Sequence, residues 1–253
     1  MKRYVIGDIH GGYQAFKSLL DQVNFDYESD LLICLGDIVD GWSEVKECFE
    51  LMFTIKKLVY IRGNHEQLFL DYCKGKIVHS ESDSTFVLWN KHGGNSTIKS
   101  LGEKIAVEQK YIDFVERSLP YYELNDKGVK RLFVHAGVPE GCCNQESEFS
   151  LKLEDVDPED FLWTRDTAQD AYNNGKSPDY TFGDKYDSIY LGHTPTQKLN
   201  VFYSAPQHWG NVWLMDTGAC FKGQLSIMNI DTEQIWQSKP VNSYYSNEQG
   251  RKE

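Results

Sequence analysis

Tyr4-Val5-Ile6-Gly7-Asp8-Ile9-His10-Gly11 opens the chain with a short apolar run, a glycine, and an Asp and a His one residue apart. The run reads as a buried strand that ends abruptly in a polar loop. Gly11-Gly12 then breaks the chain, and Tyr13, Phe16, Leu19, Leu20 and Val23 recur at helical spacing. The pattern repeats twice. Asp30 to Leu35 reads as the next strand and runs into Gly36-Asp37, and Val45, Cys48, Phe49, Met52 and Phe53 mark the next helix. Leu58 to Ile61 then runs into Arg62-Gly63-Asn64-His65. Strand–helix alternation of this kind predicts a βαβαβ unit with parallel strands.

Outward from that unit, the spacing predicts a helix from Asn64 to Tyr72 and two more over Ser96–Leu101 and Val107–Leu119. Strands are expected at Val129–Val134, Ser188–Leu191, Leu199–Tyr203, Val212–Met215, Gly223–Ile230 and Gln234–Gln237. The stretch 140–186 is polar and reads as loops. No internal repeat or linker divides the chain, so residues 1–241 are expected to form one domain. The polar tail 242–253 is expected to fray.

A net charge of −12 and a pI near 5.1 argue against a basic grip on nucleic acid or on an anionic membrane. They leave room for a small phosphate ligand or a nucleotide, because bound cations overturn the local field. Met1 to Asp8 is too short and too soon charged for a signal peptide, and no run approaches the ~18 apolar residues of a spanning helix. The six cysteines form no CxxC pair. A reducing, cytoplasmic setting without disulfides is expected.

Ligands of open α/β sheets collect at the carboxyl ends of the strands. Here those ends carry Asp8 and His10, Asp37 and Asp40, Asn64 and His65, His135, and His193. Each alone could be a turn residue or a structural histidine. In one ordered series they read as a metal site. Mixed carboxylate, amide and imidazole donors suit Mn, Fe or Zn, and the lack of cysteine among them argues against a structural zinc.

At these residues the chain resembles a known family. Gly7-Asp8-Ile9-His10-Gly11, Gly36-Asp37-Ile38-Val39-Asp40 and Arg62-Gly63-Asn64-His65-Glu66 look like signature blocks of the calcineurin-like metallophosphoesterases. They are most similar to the phosphoprotein-phosphatase branch of bacterial and phage, lambda-phosphatase-like enzymes. His92-Gly93-Gly94, His135-Ala136-Gly137, Trp163-Thr164-Arg165-Asp166, Gly192-His193-Thr194 and Asp216-Thr217-Gly218-Ala219 follow in family order. The resemblance implies an α/β sandwich of two mixed β-sheets flanked by helices. It also implies two divalent ions, with Mn first and Fe or Zn as alternatives. Asp8 and His10 hold one, Asn64, His135 and His193 hold the other, and Asp37 bridges ions ~3.5–4 Å apart. Water activated between the ions then attacks phosphorus directly. His65 resembles the family's general acid, with Asp40 orienting it. Arg62 and Arg165 are implied phosphate contacts, and His92 lines the pocket or shapes a turn.

One block departs from the pattern. Where most of the branch reads Asp-Arg-Gly, this chain reads Asp40-Gly41-Trp42. Trp42 is therefore expected to offer a stacking surface to the leaving group. Trp89, Trp163, Trp209 and Trp213 read as core. The expected activity is a Ser/Thr protein-phosphatase-like phosphoesterase acting on a phosphorylated protein or small phosphoester. Alternatives are a symmetrical diadenosine tetraphosphate hydrolase, a cyclic-nucleotide phosphodiesterase and, remotely, a non-catalytic nucleotide-binding module.

Overall fold

The computed structural model describes residues 1–103, 106–145, 150–200 and 204–251. Its strands are β1 (Arg3–Ile6), β2 (Leu31–Cys34), β3 (Lys57–Tyr60), β4 (Tyr121–Asp126), β5 (Val129–Val134), β6 (Ser188–Leu191), β7 (Gln207–Trp209), β8 (Val212–Leu214), β9 (Gln224–Asn229) and β10 (Ile235–Pro240). They form two five-stranded sheets, ordered β10-β9-β1-β2-β3 and β4-β5-β6-β8-β7. Both are mixed. β1, β2 and β3 run parallel, as do β5, β6 and β8, while β9 pairs antiparallel with β1 and with β10, β4 with β5, and β7 with β8.

Strand alternation explains the layers. In β1, Val5 packs with Ile33, Phe133, Tyr190 and Met228 between the sheets. Its neighbours Tyr4 and Ile6 face the opposite way, into the helices α1 (Tyr13–Gln22) and α2 (Val45–Phe53). Adjacent side chains on a strand point to opposite faces, so a continuous apolar run is what a strand buried on both sides needs. The same helical layer holds α3 (Asn64–Cys73), α4 (Ser84–Trp89), α5 (Asn95–Leu101) and α6 (Gln109–Glu116). The second sheet is covered by α7 (Pro158–Trp163) and α8 (Asp166–Asn174).

These two helices correct the expectation of loops over 140–186. Asp157 caps α7 by accepting from the Glu159 N–H, with Pro158 inside the first turn. The expected strand Leu199–Tyr203 is also corrected at its start, since Leu199 ends the short helix α9 (Thr196–Leu199). Residues 201–203 of that expectation lie outside the described residues. All six cysteines are free. Among the described residues no helix is long and apolar enough to cross a membrane.

Candidate metal centre

The parallel strands of both sheets discharge their C-terminal loops into one cleft. It is lined by Asp8, His10, Asp37, Asn64, His65 and His193, with Asp216, His92, Arg165 and Arg251 also at its wall. His10, Asp37 and His193 hold left-handed backbone at φ 50°, 50° and 59°, as does Asp40 at 67°. Such conformations are uncommon for residues with a Cβ and persist where the surroundings over-determine them. Here they fold the chain back sharply after each strand, aiming the side chain inward. Glycines admit the neighbouring loops: a Cβ on Gly192 would lie 2.3 Å from Asp8 Oδ1, and one on Gly63 2.1 Å from Asp37 Oδ1.

Asp37 is the hub. Its Oδ2 lies 3.6 Å from His10 Nε2 and 3.5 Å from His135 Nε2. Asn64 Oδ1 lies 3.0 Å from both His135 Nε2 and His193 Nδ1. Asp8 accepts the His193 N–H on its carboxylate at 3.0 Å. The ring tautomers are set from behind: His10 Nδ1 donates to Val39 O at 3.1 Å and His135 Nδ1 to Leu35 O at 2.8 Å. Both Nε2 atoms therefore turn lone pairs toward the hub. The lone pair of His135 faces the carbonyl oxygen of Asn64, an arrangement of two acceptors that a cation between them relieves. Three buried carboxylates and three neutral imidazoles around one point thus fit divalent cations.

Electrostatics agree. Burial, then the Asp216 and Asp37 charges, raises the Asp8 pKa well above the usual carboxylate range. Burial raises Asp37 and lifts Asp216 to about 6. Burial lowers His10, pushes His135 down to about 4, and lowers His193 further still. The carboxylates resist charging without a counter-ion, and the rings stay neutral as ligands must.

His65 behaves differently. Burial pulls it down, but the Asp37 charge and the Asp40 hydrogen bond outweigh that and raise it. Its Nδ1 sits 2.6 Å from Asp40 Oδ2, which also accepts from Trp89 Nε1 at 2.8 Å. Thr97 Oγ1 donates to Asp40 Oδ1. Nε2 faces the cleft, where Arg251 Nη1 approaches to 3.2 Å. The neutral ring accepts that contact, and the charged ring offers Nε2–H as a proton donor. Arg165 Nη1 donates to His193 O at 2.9 Å and Thr194 Oγ1 at 3.0 Å, which fixes its guanidinium at the cleft wall. His92 lines the same wall, its pKa pushed down to about 4 by burial and then by the Arg251 charge.

Two sequence expectations are overturned. Trp42 is completely buried, donates Nε1–H to Ala219 O at 2.8 Å and stacks on Tyr245 at 5.0 Å between centroids, so it offers no surface to a leaving group. Arg62 points away from the cleft. Its Nε donates to Ser118 Oγ at 2.9 Å and Nη2 to Glu116 O at 2.9 Å, so it caps the C-terminal end of α6. Conversely, Trp163, read as core, is 42% exposed and lines the cleft mouth.

Three contributors had no assigned role. Asp216 follows β8 as Asp8 follows β1, so the same strand-end pattern marks it. Glu66 accepts the backbone N–H groups of Asp37, Ile38, Val39 and Gly63, and so ties the Asp37 loop to the start of α3. Arg251 comes from the tail expected to fray. That tail is docked as far as Arg251, and 252–253 lie outside the described residues.

A two-sheet α/β sandwich with carboxylates, imidazoles and an amide at its strand ends defines a metallohydrolase. Residues 1–219 match the calcineurin-like phosphoesterase family, and the chain belongs to it. It is a metal-dependent phosphoester hydrolase. The family implies a dinuclear divalent-metal centre, with which the His/Asp cluster is compatible. The chain is 27% identical to serine/threonine-protein phosphatase 1 of Salmonella typhimurium over 227 residues, 90% of this chain and 91% of that one. It is 25% identical to the symmetrical bis(5'-nucleosyl)-tetraphosphatase of Wigglesworthia glossinidia brevipalpis, over 94% of this chain and 99% of the other. The fold superposes on a solved structure of a candidate diadenosine tetraphosphatase with a TM-score of 0.63 at 16% identity, covering 93% and 92% of the two chains.

Proposed function

We propose that the chain is a cytoplasmic Ser/Thr-type phosphomonoesterase that acts on phosphorylated protein. Asp8, His10 and Asp37 hold one divalent ion, and Asp37, Asn64, His135 and His193 the other, with Mn the first candidate. When bound, the pair neutralises phosphoryl oxygens and makes water a nucleophile at neutral pH. Arg165 orients the phosphoryl group, its own position set by His193 O and Thr194. His65 donates the Nε2 proton to the departing alkoxide, with Asp40 holding the ring by Nδ1. His92, kept neutral, shapes the wall without adding charge.

The size of the cleft carries the choice of substrate. At about 160 Å³ it is well below the ~300–1,000 Å³ of sites that engulf a whole small ligand. It accommodates a phosphoryl group and the first atoms of its ester, while the rest of the substrate stays outside, as a phosphorylated protein side chain does. Relatives at similar identity include both protein phosphatases and dinucleoside tetraphosphatases, so the substrate is tested directly. Rates on a phosphoserine peptide, diadenosine tetraphosphate and a cyclic nucleotide are compared with Mn²⁺, and again with EDTA. The phosphopeptide is expected to give the highest kcat/KM, abolished by EDTA. A higher value on either nucleotide overturns the proposal.

A further inference from the structure

The cleft carries an arginine delivered from the other end of the chain. We infer that Arg251 is a phosphate-binding residue for the hydrolytic reaction, held in place by a dock that the Gly41–Glu44 loop makes for the C-terminal segment.

The dock is built from the loop outward. Trp42 is turned into the core and stacks on Tyr245 with ring planes 17° apart. Ser43 donates both its N–H and its hydroxyl to the Glu248 carboxylate, at 3.1 and 2.6 Å. The Arg251 N–H donates to Cys220 O at 2.8 Å. Gly250 makes the last turn at φ +61°, and a Cβ there would lie 2.7 Å from Trp42 Cζ2 and 2.6 Å from Cys220 O. Only glycine lets the chain turn this closely over the indole, and the turn aims the next side chain into the cleft.

The guanidinium is then placed for an anion. Nη1 is 3.2 Å from His65 Nε2, and the carbon Cζ lies 5.6 Å from the Phe221 ring centroid. Among the described residues no carboxylate forms an ion pair with it, so its other N–H groups are available to a ligand. A phosphoester oxygen that takes a proton from His65 Nε2 comes within reach of the same guanidinium. Arg165 stands on the His193 side of the cleft with Nη1 already engaged. The two arginines therefore approach the cleft from different walls, the arrangement that fixes a tetrahedral anion. The Gly41-Trp42 pair, where the sequence lacks an expected arginine, serves instead to bring one in from the tail.

The test uses the full chain loaded with Mn²⁺, para-nitrophenyl phosphate as substrate and inorganic phosphate as probe. It rests on the phosphoesterase chemistry alone. It stands whether the natural substrate is a phosphoprotein or a dinucleotide, so its failure leaves the substrate proposal untouched. Arg251→Ala is expected to raise both KM and the inhibition constant of phosphate by about 10- to 100-fold. Calorimetric phosphate binding is expected to weaken in parallel, with metal content unchanged. Arg251→Lys is expected to fall between, keeping the charge but losing the planar fork. Gly250→Val is expected to reproduce much of the loss with the arginine intact. Phosphate affinity within about 2-fold of wild type in Arg251→Ala overturns the inference. So does a lower KM, which marks the arginine as a plug, or a loss explained by missing metal.

Discussion

His65 Nδ1 and Asp40 Oδ2 lie 2.6 Å apart, both buried. Trp89 and Thr97 hold the carboxylate from other sides, so the ring can present only Nε2 to the cleft. Asp40→Asn is expected to lower kcat about 10- to 100-fold. The loss is larger for alkyl than for aryl phosphates, because only the poorer leaving group needs the proton. The slope of log kcat against leaving-group pKa measures this, and an unchanged slope assigns the proton to another group.

Glu66 ties two site loops together through its bonds to the backbone of Asp37, Ile38, Val39 and Gly63. Removing the carboxylate leaves those buried donors without an acceptor. Glu66→Ala is expected to cost at least about 3 kcal/mol, given ~1–3 kcal/mol for each unsatisfied buried group. Urea unfolding in EDTA reads the cost without any contribution from bound metal. A loss under about 1 kcal/mol shows that the Asp37 loop is held by other means.

His135 is one source of the pH dependence of the metal-free protein, and burial lowers His10 and His193 in the same sense. Its value is about 4 folded against the ordinary 6.5, so between those pH values the unfolded chain binds a proton that the folded one refuses. Its contribution to stability is complete above about pH 6.5 and is lost as pH falls toward 4. Asp216, raised to about 6, acts in the opposite sense over part of that window, so the wild-type curve alone does not isolate the ring. Between pH 7 and pH 5, chelated wild type is expected to lose roughly 2 kcal/mol more than chelated His135→Asn. Parallel stability curves for the two proteins contradict this.

Asn64 Oδ1 faces His135 and His193 equally, at 3.0 Å from each. Asn64→Ala deletes one donor of that set and leaves the Asp8–His10 side intact. Elemental analysis is expected to show loss of close to half the bound metal, with affinity at the remaining site nearly unchanged. Full occupancy in the variant removes Asn64 from the ligand set.

Most of the fold and the floor of the site were legible because both signals are local. A strand buried on two faces must be a continuous apolar run, and the residues just after it fall at the sheet's C-terminal edge. Asp216 obeys that pattern as plainly as Asp8. What stayed hidden depends on which way a loop side chain turns. Trp42 follows Gly41 at φ +88°, and its partner Tyr245 lies some two hundred residues further on. The tail read as polar because its anchors are single residues, Tyr245, Glu248 and Gly250, without periodicity. In the loop-like stretch 140–186, α7 has only six residues, too few for a helical repeat to show.

Arg62 separates a structural arginine from a substrate-binding one. It sits two residues before Asn64, yet its guanidinium bonds Ser118 Oγ, Gln67 Oε1 and the Val115 and Glu116 carbonyls. Those carbonyls end α6, where a cation offsets the negative end of the helix dipole. Arg62→Ala is therefore expected to leave KM for para-nitrophenyl phosphate within about 2-fold of wild type. It is expected to lower stability by about 1–3 kcal/mol, the range for losing hydrogen bonds to a charged group. Paired measurement of KM and urea midpoint decides the point. If KM rises tenfold while the midpoint holds, the side chain turns to phosphate when substrate binds, and the helix-capping role is secondary.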